Sequence, residues 1–74
     1  MSFHNNLSYA RRCHYLTQED LAELLNVSRQ TVSQWENGIM YPRVEMLLKI
    51  CLNLDIPIEY LFEEELGSKE NTEK

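Results

Sequence analysis

Between Thr17 and Gly38 the chain carries two helix starts and two helix stops, punctuation so close that only short helices fit between them. Thr17-Gln18-Glu19-Asp20 sets a side-chain oxygen three residues ahead of an acid, and Leu21, Ala22, Leu24 and Leu25 follow. This is the pattern of a capped amphipathic start, and it predicts a helix from Gln18 to about Leu25. Asn26 accepts a positive φ better than most non-glycine residues, and Ser28 is a second oxygen cap two residues on. A further helix is expected from Arg29 to Asn37, ended by Gly38 in the left-handed conformation.

The flanking segments read as helices too. Leu7, Ala10 and Cys13 recur at three-residue steps, which predicts a first helix ending near Tyr15. Pro42 suits a first helical turn, and Val44, Leu47, Leu48, Ile50, Cys51 and Leu54 then repeat at helical spacing. Pro57 marks a last start, after which Ile58, Leu61, Phe62 and Leu66 form a last amphipathic piece. No strand alternation is present, so the expected class is all-α: one compact five-helix domain over residues 6–66. Residues 1–5, His4 included, are expected to be flexible, and 67–74 to form a disordered acidic tail.

At 74 residues the chain has room for one domain. No apolar run exceeds three residues, as at Met46-Leu47-Leu48, so no segment is fit to span a bilayer, and a cytoplasmic location is expected. Cys13 and Cys51 match no disulfide or zinc spacing and read as small buried hydrophobes. No metal or other cofactor is expected. Cys13 and His14 are adjacent, and neighbours on a helix point apart, so they make a poor nucleophile and base; no enzyme is expected.

The formal charge of -5 argues at first against a polyanionic partner. Its distribution removes the objection. Residues 1–54 balance five basic side chains against five acidic ones, whereas residues 55–74 hold two against seven. Charge steering depends on the local face, because fields are screened beyond about 8–10 Å. The first two thirds of the chain can therefore face a nucleic acid.

At 100° per residue Ser28, Val32, Trp35 and Glu36 share one side of the helix starting at Arg29, while Gln30 and Gln34 point the other way between Thr31 and Ser33. Gln pairs with adenine N6 and N7, Ser and Thr bond several base edges, and Arg bonds guanine or phosphate. A merely solvated face would favour Lys and Glu. Gln18-Glu19-Asp20-Leu21-Ala22, Val27-Ser28-Arg29-Gln30-Thr31-Val32-Ser33, Trp35-Glu36-Asn37-Gly38, Pro42 and Ile56-Pro57-Ile58-Glu59-Tyr60-Leu61 together resemble the phage-repressor or Cro-type (XRE) helix-turn-helix family, over roughly residues 6–62.

The resemblance implies a five-helix domain whose second and third helices form the DNA-reading unit, the third lying in the major groove. It implies Gln18 against phosphate at a helix N-terminus, Arg29, Gln30, Thr31, Ser33 and Gln34 at base edges, and Asn37 and Arg43 flanking the loop at the other backbone. It also implies an Arg11–Glu36 contact tying the first helix to the third. Tyr15 and Asn26 stand where relatives often carry Gly, and Ile39 and Met40 where they commonly carry Lys or Arg.

The helix after Pro42 is apolar over about 200°, twice the arc one core-facing stripe needs. With Leu52, Ile58, Phe62 and Leu66 this predicts a second burial surface and a homodimer, which would space two reading helices about 34 Å apart on DNA; the alternative is that Phe62 and Leu66 fold back over the domain's own core. The expected function is a sequence-specific transcriptional regulator acting on double-stranded operator DNA of pseudo two-fold symmetry, most simply as a repressor, with no membrane partner and no small-molecule ligand evident. The alternative is a protein-interaction module or antitoxin on the same scaffold, which should present an apolar reading face.

Overall fold

The structure, a computed structural model, describes residues 3–63. Five helices follow in order: α1 (Phe3–Cys13), α2 (Gln18–Leu25), α3 (Arg29–Glu36), α4 (Val44–Leu54) and α5 (Ile58–Leu61), with no strand among the described residues. The all-α, five-helix expectation is met.

Most boundaries have a visible local cause. Thr17 Oγ1 accepts the Asp20 N–H at 3.0 Å while Asp20 Oδ2 accepts the Thr17 N–H at 2.9 Å, a reciprocal capping box that starts α2. Asn26 ends α2 in the left-handed conformation at φ 61°, and its N–H returns to the Ala22 and Glu23 carbonyls. Lys49 reaches over from α4 to donate to the Leu25 carbonyl at 3.0 Å. Ser28 Oγ caps α3 through the Thr31 N–H at 3.1 Å. Beyond α3, Gly38 takes φ +76°, and a Cβ there would also meet the His4 ring at 3.4 Å.

One core gathers every helix: Leu7 and Ala10 from α1, Leu21 and Leu25 from α2, Val32 and Trp35 from α3, Ile50 and Leu54 from α4, and Leu61 from α5. Asn6 closes α1 onto α5 by donating Nδ2 to the Leu61 carbonyl at 2.9 Å.

The structure corrects several expectations. The N-terminus is helical from Phe3, not flexible through residue 5, because Phe3 is buried between Tyr41 and Phe62 with ring centroids 5.2 and 5.4 Å away. Burying a phenylalanine stabilises by roughly 1.5–3 kcal/mol, which offsets a large part of the cost of ordering a helical turn. His4 is half-buried against Gly38. Cys13 is exposed rather than buried, since it lies about 90° round α1 from the Phe3–Leu7–Ala10 stripe, and Cys51 is half-buried. Pro42 is buried just ahead of α4, whose cap is the extended Arg43. Phe62 does not join an outer surface, because it stacks back on Phe3. Leu66 and the expected tail 67–74 lie outside the described residues.

Candidate nucleic-acid interface

The link between α2 and α3 is a single turn in which the left-handed Asn26 redirects the chain and Ser28 restarts it. Val27 N–H bonds the Ala22 carbonyl at 2.9 Å, so the turn is closed by backbone as well as by caps. Val32 and Trp35 bury the inner face of α3, and its outer face is thereby fixed in direction.

On that outer face Arg29 and Gln30 are exposed, and Thr31, Ser33 and Gln34 are half-buried. Asn37, just past the helix, and Arg43, at the cap of α4, are exposed as well. The structure thus brings Arg29, Gln30, Thr31, Ser33 and Gln34 onto one short helix. Thr31 and Arg43 both border a shallow groove floored by Trp35, Tyr41 and Met46.

Internal bonds divide the candidates. Thr31 Oγ1 lies 2.8 Å from Ser28 Oγ, and Asn37 Nδ2 donates to Ser33 Oγ at 3.2 Å, so these hydroxyls are already engaged. Gln30, Gln34 and Arg43 have no side-chain partner among the described residues. A Gln amide with both donors and acceptor free can offer the paired bond that reads adenine.

Glu36 faces inward with its side chain 5% exposed and is paired with Arg11, 12% exposed. Arg11 Nε donates to Oε2 at 2.7 Å and Nη2 to Oε1 at 3.0 Å, a bidentate fork, while Nη1 donates to the Leu16 carbonyl at 2.7 Å. The contact implied by the resemblance is present. The side chain of Gln18, the residue expected at phosphate, bonds within the protein: Nε2 donates to Glu36 Oε1 at 3.0 Å, and Oε1 accepts from Arg29 Nη1 at 3.4 Å. The N-terminus of α2 still offers first-turn backbone N–H groups to an anion, although Glu19 and Asp20 already complement that end of the dipole. Thr17 lowers the Asp20 pKa through its backbone and side-chain hydrogen bonds.

Sequence reasoning missed the Gln18–Arg29 link. Its signal is that both residues open their helices, which the tight turn sets side by side. Asp55 was also missed: it ends α4 at φ 56°, and the run Leu54-Asp55-Ile56-Pro57, a residue tolerant of positive φ with proline two further on, marks such an ending. Among the described residues no group of three His, Cys, Asp or Glu is placed to hold a metal, and no helix is long and apolar enough to cross a membrane.

Two short capped helices joined by one turn, the second presenting a polar outer face, define a helix-turn-helix protein of the DNA-binding regulator class. The chain belongs to the XRE-type helix-turn-helix family, whose model matches residues 7–61. An HTH-type transcriptional regulator of Methanocaldococcus jannaschii is 45% identical over 58 residues, covering 78% of this chain and 88% of the relative. The HTH-type transcriptional activator BcrR of Enterococcus faecalis is 42% identical over 74 residues, 99% of this chain but 36% of that longer protein. The P22 c2 repressor, solved with a synthetic operator, superposes with a TM-score of 0.79 at 26% identity, covering 84% of this chain and 94% of that one.

Proposed function

We propose that this chain is a cytoplasmic, sequence-specific regulator that binds a pseudo-palindromic operator as a homodimer, lays α3 in the major groove and acts as a repressor. One observation carries the reading: the exposed side of α3 holds Arg29, Gln30 and Gln34, with the two glutamine side chains unengaged. Gln30 and Gln34 are assigned to base edges, with Arg29, Thr31 and Ser33 beside them. The backbone at the α2 N-terminus, Asn37 and Arg43 are assigned to phosphates, where they set register without reading sequence. The operator complex of the P22 c2 repressor supports the docking, and its name supports repression; BcrR, named an activator, is why the sign needs its own measurement.

Dimerisation is supported by α4. Val44, Leu48 and Leu52 follow at four-residue steps and are 68%, 53% and 80% exposed, an apolar stripe on the side away from Ile50 and Leu54. Ile58 of α5 adds to the exposed apolar surface. A dimer that sets four cations on the DNA, Arg29 in the groove and Arg43 at the backbone of each copy, should give a slope of about -4 for log K against log salt.

Selection from random DNA with the purified protein tests the reading. Enrichment of two inverted half-sites about 10 base pairs apart is expected. No enrichment over competitor DNA would instead favour the interaction-module reading, against which the polar α3 face already weighs. A promoter fused to the selected site, with and without the protein, gives the sign of regulation.

A further inference from the structure

We propose that the segment after α5 folds back over the reading side of the domain, with Leu66 in the groove floored by Trp35, Tyr41 and Met46 and the carboxylates of Glu64 and Glu65 against Arg43, so that DNA has to displace it. The proposal rests on the operator-reading role given to α3 and Arg43 above.

The groove suits an apolar side chain. Its volume is about 280 Å³, its floor is aromatic and thioether, and Met40 and Tyr41 at its edge are 44% and 58% exposed. Such surface gains from being covered, because apolar contact with water is unfavourable. Thr31 borders the groove from α3, so an occupant sits beside the outer face of the reading helix.

An aromatic ladder brings the end of α5 to this place. Phe62 stacks on Phe3 at 5.4 Å and Phe3 stacks on Tyr41 at 5.2 Å, two ring-to-ring steps that end on a residue lining the groove. Leu66 follows Phe62 by four residues, a reach of up to about 13–14 Å, which exceeds those two steps together. It is the sole apolar side chain among residues 63–74.

Charge favours the same placement. Glu63, Glu64 and Glu65 precede Leu66 without a break, and Arg43 is an exposed cation with no side-chain partner among the described residues. Glu45 shares the rim and repels the acidic run toward the Arg43 side. An exposed ion pair holds little by itself, so Leu66 is the anchor and the carboxylates set the direction. The link is short, which gives an effective concentration in the millimolar range, and a weak site is therefore enough. None of Val44, Leu48 and Leu52 lines this groove, so a second copy on that stripe leaves it open to Leu66. One guanidinium cannot serve a carboxylate and a phosphate at once. DNA affinity is thereby lowered by the fraction of time the groove is closed.

Two measurements on the full chain test this. In the DNA-free protein, nuclear Overhauser contacts are expected from the Leu66 methyls to the ring of Trp35, the chain's single tryptophan, or to the Met46 methyl. Their absence would refute the docking, and contacts from Leu66 to Leu48 or Leu52 instead would assign it to the dimer stripe and refute it equally. In binding to a duplex selected from random DNA, Leu66→Ser keeps every charge and should tighten binding by about three- to tenfold, as for a site open about a tenth to a third of the time. The Glu64→Gln/Glu65→Gln variant should tighten it as well, and should add nothing in an Arg43→Gln background. Tightening by the glutamine variant with none from Leu66→Ser would mean repulsion at a distance and would overturn the proposal. If neither the chain nor its variants bound any duplex, the operator reading would fall while the DNA-free contacts still decided where Leu66 sits.

Discussion

Truncating Arg11 to alanine should come close to unfolding the domain, and the reason lies in what it strands. Arg11 supplies two of the three hydrogen bonds reaching the Glu36 carboxylate, leaving only Gln18 Nε2 at 3.0 Å. Glu36 is 5% exposed, so water cannot replace the lost donors without opening the α1–α3 contact. The Leu16 carbonyl loses its 2.7 Å partner at the same time, in the turn that leads into α2. Removing one member of a buried pair costs about 3–5 kcal/mol. At about 0.05–0.15 kcal/mol per residue, a domain with roughly 60 ordered residues holds only about 3–9 kcal/mol in total.

Urea denaturation followed by far-UV circular dichroism, with Arg11→Ala, Glu36→Ala and the Arg11→Met/Glu36→Met double variant, separates the stranded charge from the worth of the pair. Either single truncation should lose most of the folded baseline at room temperature. The double variant should recover much of it, since two apolar side chains of similar length leave no buried charge behind. A loss below about 1 kcal/mol for Arg11→Ala would mean that solvent screens the pair as it does on a surface, and the burial argument would be wrong.

Tyr15 is 94% exposed and holds φ 58°, so Tyr15→Gly gives up almost no packing while relieving a left-handed conformation. We expect a net gain of about 0.5–1 kcal/mol, read as a melting temperature several degrees higher, and an unchanged or lower value would count against strain there. The Asp20 pKa is lowered from 3.8 in the folded state, so its contribution is in place above that value and is lost as pH falls through the lowered one. Asp20→Asn should therefore be less stable than wild type at neutral pH, with the gap closing in acid; a gap that stayed constant down to pH 2 would sink the linkage. Leu52 is 80% exposed in the single chain, so Leu52→Glu should leave monomer stability within about 0.5 kcal/mol and halve the sedimenting mass. If wild-type protein already sediments at 8.8 kDa at micromolar concentration, the dimer is excluded. Gln34→Ala should relax preference at one or two base pairs by about 1–3 kcal/mol each, and an equal loss on every sequence would remove its base-reading role.

The parts of this fold legible in the sequence are those set by neighbours a few residues apart. The Thr17–Asp20 box, the left-handed Asn26, the Ser28 cap and Gly38 are all local, and each boundary they imply is present. The N-terminus was misread because what orders Phe3 is distant: Tyr41 and Phe62 arrive from the loop before α4 and the end of α5. The apolar excess of α4 was visible as an arc, yet only the packing shows that Val44, Leu48 and Leu52 are left outside while Phe62 is taken in. For the interface, helical periodicity placed Gln30 and Gln34 outward. It could not say that Gln18 faces Glu36, because that contact depends on the angle at which the turn sets α2 against α3.

The same carboxylate therefore ties three helices together. Glu36 closes α1 onto α3 through Arg11, and through Gln18 of α2 it also reaches toward Arg29, the first residue of α3. Loss of DNA binding in any Glu36 or Arg11 variant would consequently say nothing about base contacts, since α3 would no longer be held at its tilt. Only substitutions beyond Gln18, at Arg29, Gln30 and Gln34, leave the buried pair intact. A scan confined to those positions should change sequence preference at nearly constant melting temperature, whereas a scan of Arg11 and Glu36 should change both together. If preference and melting temperature moved in proportion at Gln30 and Gln34 as well, the outer face of α3 would be part of the fold rather than a surface reserved for DNA.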